Sequence, residues 1–375
     1  MSANSQSQSS FVNRLPREIR DAIYLELWRS SGLRQHITMH GSRESRHYCR
    51  WQCLKEFEVQ DGLQQDIEEM MIKLQVPPGE RLMRDQDEKA PLYCRRLQSP
   101  WMDHWPCGEQ GFEKHGIWAV WGPTTSMLKC WKKEGAIEQG GPWLSPYIPM
   151  LLSCKIISAE CLQSIYESTT FIFTDFRALQ MFFGYCAKSP ALKELPEMPT
   201  PPAFFKYTRS LELSLSPDFP KHLLCANIDL PGIERRHEVY DFHWLRLDQF
   251  ENLKRVNIWI ASRSISCRVD SNNSFRGIKE FDFEELRKLL TPFKNIKSFT
   301  MSTPLGPSVG PEEGIVEGVI SSGGKLYKRG SGDKFHPFLT YIELDRVFDG
   351  LIYTSPTREV RLARNGGDHD LMKEV

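Results

Sequence analysis

The stretch F-K-Y-T-R-S-L-E-L-S-L, Phe205 to Leu215, returns in outline as F-E-N-L-K-R-V-N-I-W-I at Phe250 to Ile260 and as F-K-N-I-K-S-F-T-M-S-T at Phe293 to Thr303. Each copy opens on an aromatic residue, carries a basic residue at its fifth position and closes on alternating apolar side chains. A half-buried β-strand requires that alternation, because successive side chains point to opposite faces. Stretches of helical character precede the second and third copies: V-Y-D-F-H-W-L-R-L-D-Q-F (Val239 to Phe250) and D-F-E-E-L-R-K-L-L (Asp282 to Leu290). A helix–strand unit cannot bury its apolar face alone. The copies are therefore expected to stack, with strands at 211–215, 256–260 and 299–303 adjacent and parallel and their helices to one side. A plain α/β core with similar helix–strand turns fits the same residues. A fourth copy, F-L-T-Y-I-E-L (Phe338 to Leu344), fits the pattern poorly.

The whole chain bounds what these units belong to. Its 375 residues are 40% hydrophobic, enough for one large core or two smaller ones. The 48 basic and 48 acidic side chains cancel. The broad positive field that a nucleic-acid backbone or an anionic membrane needs is thus not expected, and neither partner is expected. An apolar run of about 18 residues, the minimum for a membrane span, does not occur. Residues 1–10, M-S-A-N-S-Q-S-Q-S-S, lack the charged lead and apolar stretch of a secretory signal and read as a disordered tail. Ten cysteines, several inside apolar runs such as Cys154, Cys161 and Cys186, read as reduced core residues of a cytoplasmic or nuclear protein. The sequon at Asn272 then meets no glycosylating compartment.

Near the start, F-V-N-R-L-P-R-E-I-R-D-A-I-Y-L-E-L (Phe11 to Leu27) predicts one short amphipathic helix. Pro16 suits the first helical turn and Glu18 lies near the positive end of the helix dipole. Leu15, Ile19, Ala22, Ile23 and Leu27 form a single apolar stripe, with Arg17, Arg20, Asp21 and Glu26 off it. Gly32 supplies a left-handed stop. A helix this short is marginal in water, so it must dock on something. Later, Leu151, Cys154, Ile157, Cys161, Leu162, Ile165 and Tyr166 make a second helical stripe, after which T-T-F-I-F switches to strand period.

The segment L-P-R-E-I-R-D-A-I-Y (Leu15 to Tyr24) resembles the L-P-x-E-I-R-x-x-I-Y opening of a large fungal F-box-like family. L-L-S-C-K (Leu151 to Lys155) is similar to the later helices of an F-box, and the following S-A-E-C-L-x-x-I-Y-x-x-T-T-F is similar to the same family. The resemblance implies three-helix packing and docking on a Skp-type linker protein, and through it on a cullin ubiquitin ligase. Leu15, Pro16, Ile19, Ile23 and Leu27 are then the expected docking face. The strands at 211–215, 256–260 and 299–303, similar to an irregular leucine-rich repeat, are the expected recognition half for an unknown protein substrate.

The expected fold class is α+β: F-box-like helices, a long loop-rich insertion, then irregular leucine-rich-repeat-like helix–strand units. The divisions read as 11–32 for the first helix, 33–148 for the insertion, 149–190 for the second helical segment, 200–350 for the repeat-like region and 351–375 for a C-terminal tail. Within the insertion, Trp51, Leu54 and Phe57 with Leu63, Ile67, Met70, Met71 and Leu74 suit one or two helices. Residues 91–146 are rich in Trp, Gly and Pro, lack helical periodicity, and offer aromatic rings suited to filling an irregular core.

Catalytic chemistry finds little support. G-P-S-V-G (Gly306 to Gly310) matches a nucleophile elbow around Ser308, precedes a helix read over 312–320, and is followed in triad order by Asp349 and His369. Pro304, Pro307 and Pro311 spread it into a loop, so a serine hydrolase is the remote reading and no catalytic residue is expected. I-S-S-G-G-K-L-Y-K-R-G-S-G-D-K (Ile320 to Lys334) fails the P-loop spacing and reads as an exposed loop. His47, Cys49 and Cys53 cluster in sequence, as do His104, Cys107 and His115, but neither set shows paired zinc knuckles. No metal and no cofactor are expected. The alternative to an adaptor is a non-ligase scaffold in which the F-box-like helices are only structural.

Overall fold

The computed structural model describes residues 9–40, 47–55, parts of 66–75 and 87–99, 101–115, 147–183, 200–215, 239–240, 247–260, 280–281, 288, 296–304, 314–316, 324–329, 351–352 and 361–362. Mixed helix and strand give an α+β fold. The N-terminal region is two helices, α1 (Ser10–Arg14) and α2 (Arg17–Arg29), separated at Leu15 and Pro16. Proline has no amide hydrogen to give to the preceding turn and biases its predecessor to extended backbone, so α1 stops at Leu15 with φ −96° and ψ 123°. Gly32 ends the region at φ +81°, the left-handed conformation that disfavours a side chain, and a Cβ there would meet Gln52 Cγ at 2.5 Å.

The next elements are β1 (Arg34–His40), β2 (His47–Gln52) and α3 (Trp105–His115), which follows a short 3₁₀ turn at Met102–His104. Then come α4 (Tyr147–Leu151), α5 (Lys155–Ser168), β3 (Thr170–Phe173), α6 (Phe176–Phe183), α7 (Pro202–Tyr207) and β4 (Ser210–Leu215). The chain continues through β5 (Val239–Tyr240), β6 (Arg255–Ile260), β7 (Glu280–Phe281), β8 (Ser298–Pro304), β9 (Gly314–Val316) and β10 (Gly324–Arg329) to the pair β11 (Leu351–Ile352) and β12 (Arg361–Leu362).

Eight strands form the main sheet in the order β2-β1-β3-β4-β6-β8-β10-β9. Its centre is parallel from β1 through β10, and the antiparallel neighbours β2 and β9 close its two edges. The three strands of the repeated pattern are β4, β6 and β8, side by side and parallel, with Leu213 opposite Ile258 and Ile258 opposite Met301. The β1–β2 hairpin, drawn from residues 33–148, extends the same sheet next to β3.

One face of this sheet carries Ile37, Phe171, Phe173, Leu211, Leu213, Val256, Ile258, Phe299 and Met301 into the main core. Helices α6 and α7 cover it through Leu179, Phe182, Phe183 and Phe204. Phe204 meets Phe182 edge to face at 4.5 Å and 89°, the geometry that aligns a ring edge with a neighbour's face. A separate helical cluster joins α2 to α4 and α5 through Tyr24, Trp28, Tyr147, Ile157 and Cys161, with Phe11 and Val12 of α1 packed against it.

Several elements differ from the sequence reading. Trp51 lies in β2, not in a helix, because its strand pairs with β1 over six residues. The Trp-rich region contains α3, whose short apolar face packs locally and escapes a periodicity search. Val239–Tyr240 is strand β5, paired with Glu280–Phe281, and only Leu247–Gln249 of that stretch turns as a 3₁₀ helix. Gly314–Val316 is strand and not helix, and Gly324–Arg329 is strand rather than loop; the two pair with each other and β10 pairs with β8. Backbone pairing overrides weak local propensity in both. Phe338 to Leu344, Ser308, Asp349, His369 and nearly all of Asp282 to Leu290 lie outside the described residues.

Candidate functional site

The second face of the sheet is polar at its β1 end. Register places His36 opposite Ile172 and Ile172 opposite Glu212, so these three side chains form one row across β1, β3 and β4. In the hairpin His36 faces Trp51. Cys53 continues the ladder just beyond β2, its amide donating to the Arg34 carbonyl at 2.9 Å, and strand alternation puts Cys53 on the face of Trp51 and His36.

Residues 101–108 cover this row. Trp101 is fully buried, and Gly108 lies so close that a Cβ would meet Trp101 Cδ1 at 2.6 Å. The 3₁₀ turn delivers His104 and the first turn of α3 delivers Cys107. His36 meets His104 at a ring separation of 4.7 Å and Trp101 at 5.0 Å, both edge to face.

Four donor side chains thus converge: one donor atom each from His36, Cys53, His104 and Cys107, all within 4.8 Å of one another. Cys53 Sγ lies 3.4 Å from His104 Nδ1 and 3.8 Å from Cys107 Sγ. His36, His104 and Cys107 are wholly buried and Cys53 is 8% exposed. Neither ring nitrogen of His36 has a well-formed hydrogen bond, although the ring faces the Cys53 sulfur.

The surroundings are charged and organised. His104 Nε2 lies 2.7 Å from Glu212 Oε1, a close charged contact between two fully buried side chains. Arg34 donates to the other Glu212 oxygen at 2.8 Å. Ser214 donates to Asp103 Oδ1 at 2.6 Å, and Lys55 donates to the Asp103 carbonyl at 2.6 Å. Burial alone would lower the His104 pKa, but Asp103, Cys107, Cys53 and Glu212 outweigh it and hold His104 well above the ordinary histidine value. Burial lowers that of His36, which favours its neutral, metal-ligating form. The Cys53 neighbour, against the cost of burial and with help from His104, pulls the Cys107 thiol down to about 5.

The structure unites Cys53, His104 and Cys107 from the two sequence clusters, adds His36, and leaves His47 and Cys49 out. His36 carries no local signal, since no cysteine or other histidine lies within three residues of it and only strand register brings it to the cluster. The available signal was H-x-x-C at 104–107, read beside a hairpin ending on Cys53.

A second feature lies on α2. The face turned to the protein is Arg20, Tyr24 and Trp28, not the apolar stripe. Arg20 Nε and Nη2 donate to Glu160 Oε2 and Oε1 at 2.9 and 2.5 Å, and Nη1 reaches the Val12 and Leu15 carbonyls at 3.0 and 2.6 Å. Tyr24 donates to Glu160 at 3.0 Å, and Trp28 Nε1 to Ser164 Oγ at 3.0 Å. Trp28 also stacks on Tyr147 at 4.8 Å and 4°. Of the expected docking face, Ile19 is 49% and Ile23 37% exposed; Pro16 is exposed, and Leu15 and Leu27 are half-buried. Ile148, Leu152 and Ile156, at the α4–α5 junction, are also exposed.

The strands expected to form a recognition half do not offer a surface at β4. All six residues of β4 are buried, the apolar ones in the main core and Glu212 and Ser214 beneath residues 101–107. Among the described residues, no helix is long and apolar enough to cross a membrane. A scan against protein-family models, a search of curated proteins and a search of solved structures each find no match.

Proposed function

We propose that the chain is a non-catalytic protein-interaction module that offers the outer face of α2 to a Skp-type linker, and through it to a cullin ubiquitin ligase. In this reading α1, α2, α4 and α5 are an F-box-like helical unit, and the region of the parallel strands β4, β6 and β8, read as irregular and leucine-rich-repeat-like, is the half that carries a protein substrate, on a surface other than the wholly buried β4. One observation carries the reading: Ile19 and Ile23 remain in solvent on a helix already locked from behind by Arg20, Tyr24 and Trp28. Isolated exposed isoleucines are ordinary, but here they coincide with the L-P-x-E-I-R-x-x-I-Y residues and accompany exposed Ile148, Leu152 and Ile156.

The test is co-purification from fungal extract of wild type and of Ile19→Asp/Ile23→Asp. Wild type recovers linker and cullin; the variant keeps its melting temperature and loses both. A wild-type chain that recovers no linker supports the scaffold reading instead, which the integration of the β1–β2 hairpin into the sheet also favours.

A further inference from the structure

We propose that His36, Cys53, His104 and Cys107 are the four ligands of a closed structural zinc site that fastens the 101–108 segment to the back of the sheet. The assignment is independent of the ligase reading. Tetrahedral zinc holds sulfur at about 2.3 Å and nitrogen at about 2.0–2.1 Å, which sets a sulfur–sulfur edge near 3.8 Å and a sulfur–nitrogen edge near 3.5 Å. The corresponding separations are 3.8 Å between the two sulfurs and 3.4 Å from Cys53 Sγ to His104 Nδ1. None of the remaining separations exceeds 4.8 Å, so the ion would draw the widest of them in toward tetrahedral edges of about 3.4–3.8 Å.

The donor set selects the metal. Two thiolates and two imidazoles in a tetrahedral arrangement suit zinc, whereas magnesium and calcium require oxygen donors. Four protein ligands under full burial leave no coordination position for water or substrate, so the site is structural and not catalytic. His36 strengthens the case, because its wholly buried ring has only the Cys53 sulfur to face and no well-formed hydrogen bond, and coordination to a metal would satisfy it.

The outer groups fit as well. With Nδ1 on the metal, His104 turns Nε2 toward Glu212, the carboxylate–histidine arrangement that orients a metal ligand. Two thiolates neutralise the dication, Arg34 balances Glu212, and Lys55 lies 3.8 Å from the Asp103 carboxylate. A Cys53–Cys107 disulfide is the competing use of the sulfurs; both are free thiols, and their separation of 3.8 Å is far beyond a bond of about 2.05 Å.

The consequence is mechanical. β1, the end of β2, the 3₁₀ turn and α3 each give one ligand, so one ion ties the hairpin to a segment some fifty residues further along. Metal removal should release residues 101–108 and uncover Trp101 and Glu212.

The experiment is elemental analysis of the full chain purified under reducing conditions without chelator, followed by cobalt substitution. About one zinc per chain is expected, and a cobalt form with intense tetrahedral visible bands and thiolate charge transfer. Cys107→Ser combined with His36→Ala should lose the metal, whereas His47→Ala and Cys49→Ser should keep it. His36→Cys covers the case in which the ligand-deleted chain misfolds: it should still bind, with stronger thiolate charge transfer. Glu212→Gln should weaken zinc by about ten- to a hundredfold. A wild-type chain that takes up neither zinc nor cobalt, an octahedral cobalt spectrum, or undiminished metal in the ligand-deleted variant would each overturn the assignment.

Discussion

Replacing Arg20 by methionine keeps most of the side-chain volume and removes the cation that faces Glu160. The wild-type pair is bidentate, at 2.9 and 2.5 Å, and both side chains are 10% exposed. Breaking one partner of a buried pair costs about 3–5 kcal/mol, because the remaining charge is left uncompensated. The network is shallow, with Arg17 3.5 Å from Glu160 as a residual partner, so the lower end applies. We expect a loss of about 3 kcal/mol. Arg20→Met/Glu160→Leu should recover part of the loss, leaving about 1–2 kcal/mol from the Tyr24 hydroxyl that loses its acceptor and the Val12 and Leu15 carbonyls that lose their donor. Urea unfolding of wild type, both single variants and the double variant closes the cycle, with hydrogen exchange on α2 as the local readout. A single variant that loses under about 1 kcal/mol refutes the idea that this pair, rather than aromatic packing alone, holds α2 in place.

The same network predicts a pH response. Arg20, first by hydrogen bonding and also by charge, holds the Glu160 carboxyl below its ordinary value, against burial. A depressed carboxylate pKa contributes stability above the unfolded value of about 4.3 and loses it as the pH falls through the folded value. Acid unfolding monitored below about pH 5 should therefore be steeper in wild type than in Glu160→Gln. Gly108→Ala should cost about 1–3 kcal/mol, since its Cβ would meet Trp101 Cδ1 at 2.6 Å; near-ultraviolet circular dichroism and thermal melting check it. Ile19→Asp/Ile23→Asp should change the unfolding free energy by no more than about 0.5 kcal/mol per site, as exposed positions do.

Local signals were legible in the sequence, whereas long-range pairings were not. The start of α2 at Pro16, the stop at Gly32, the strand at Thr170–Phe173 and the adjacent parallel strands of the repeated pattern follow from backbone chemistry and side-chain alternation, whereas the separate helix α1 before Leu15 does not. The buried face of α2 does not, because Arg20 becomes a core residue only when Glu160 meets it from α5. β2 reads H-Y-C-R-W-Q, with no apolar alternation to reveal a strand, and owes its form to pairing with β1. The His/Cys cluster was half visible. Cys53, His104 and Cys107 fall in two short sequence clusters without zinc-knuckle spacing, and His36 joins them only through sheet register.

Helix α2 buries Arg20, Tyr24 and Trp28 while Ile19 and Ile23 remain exposed, the face proposed above for a Skp-type linker. Titration calorimetry of the purified chain against a purified Skp-type linker tests this directly. Wild type should bind, and Ile19→Asp/Ile23→Asp, equally stable, should bind at least about thirtyfold more weakly through lost apolar burial and a desolvated carboxylate. Equal affinity for the two chains, or no heat of binding with wild type, would contradict it.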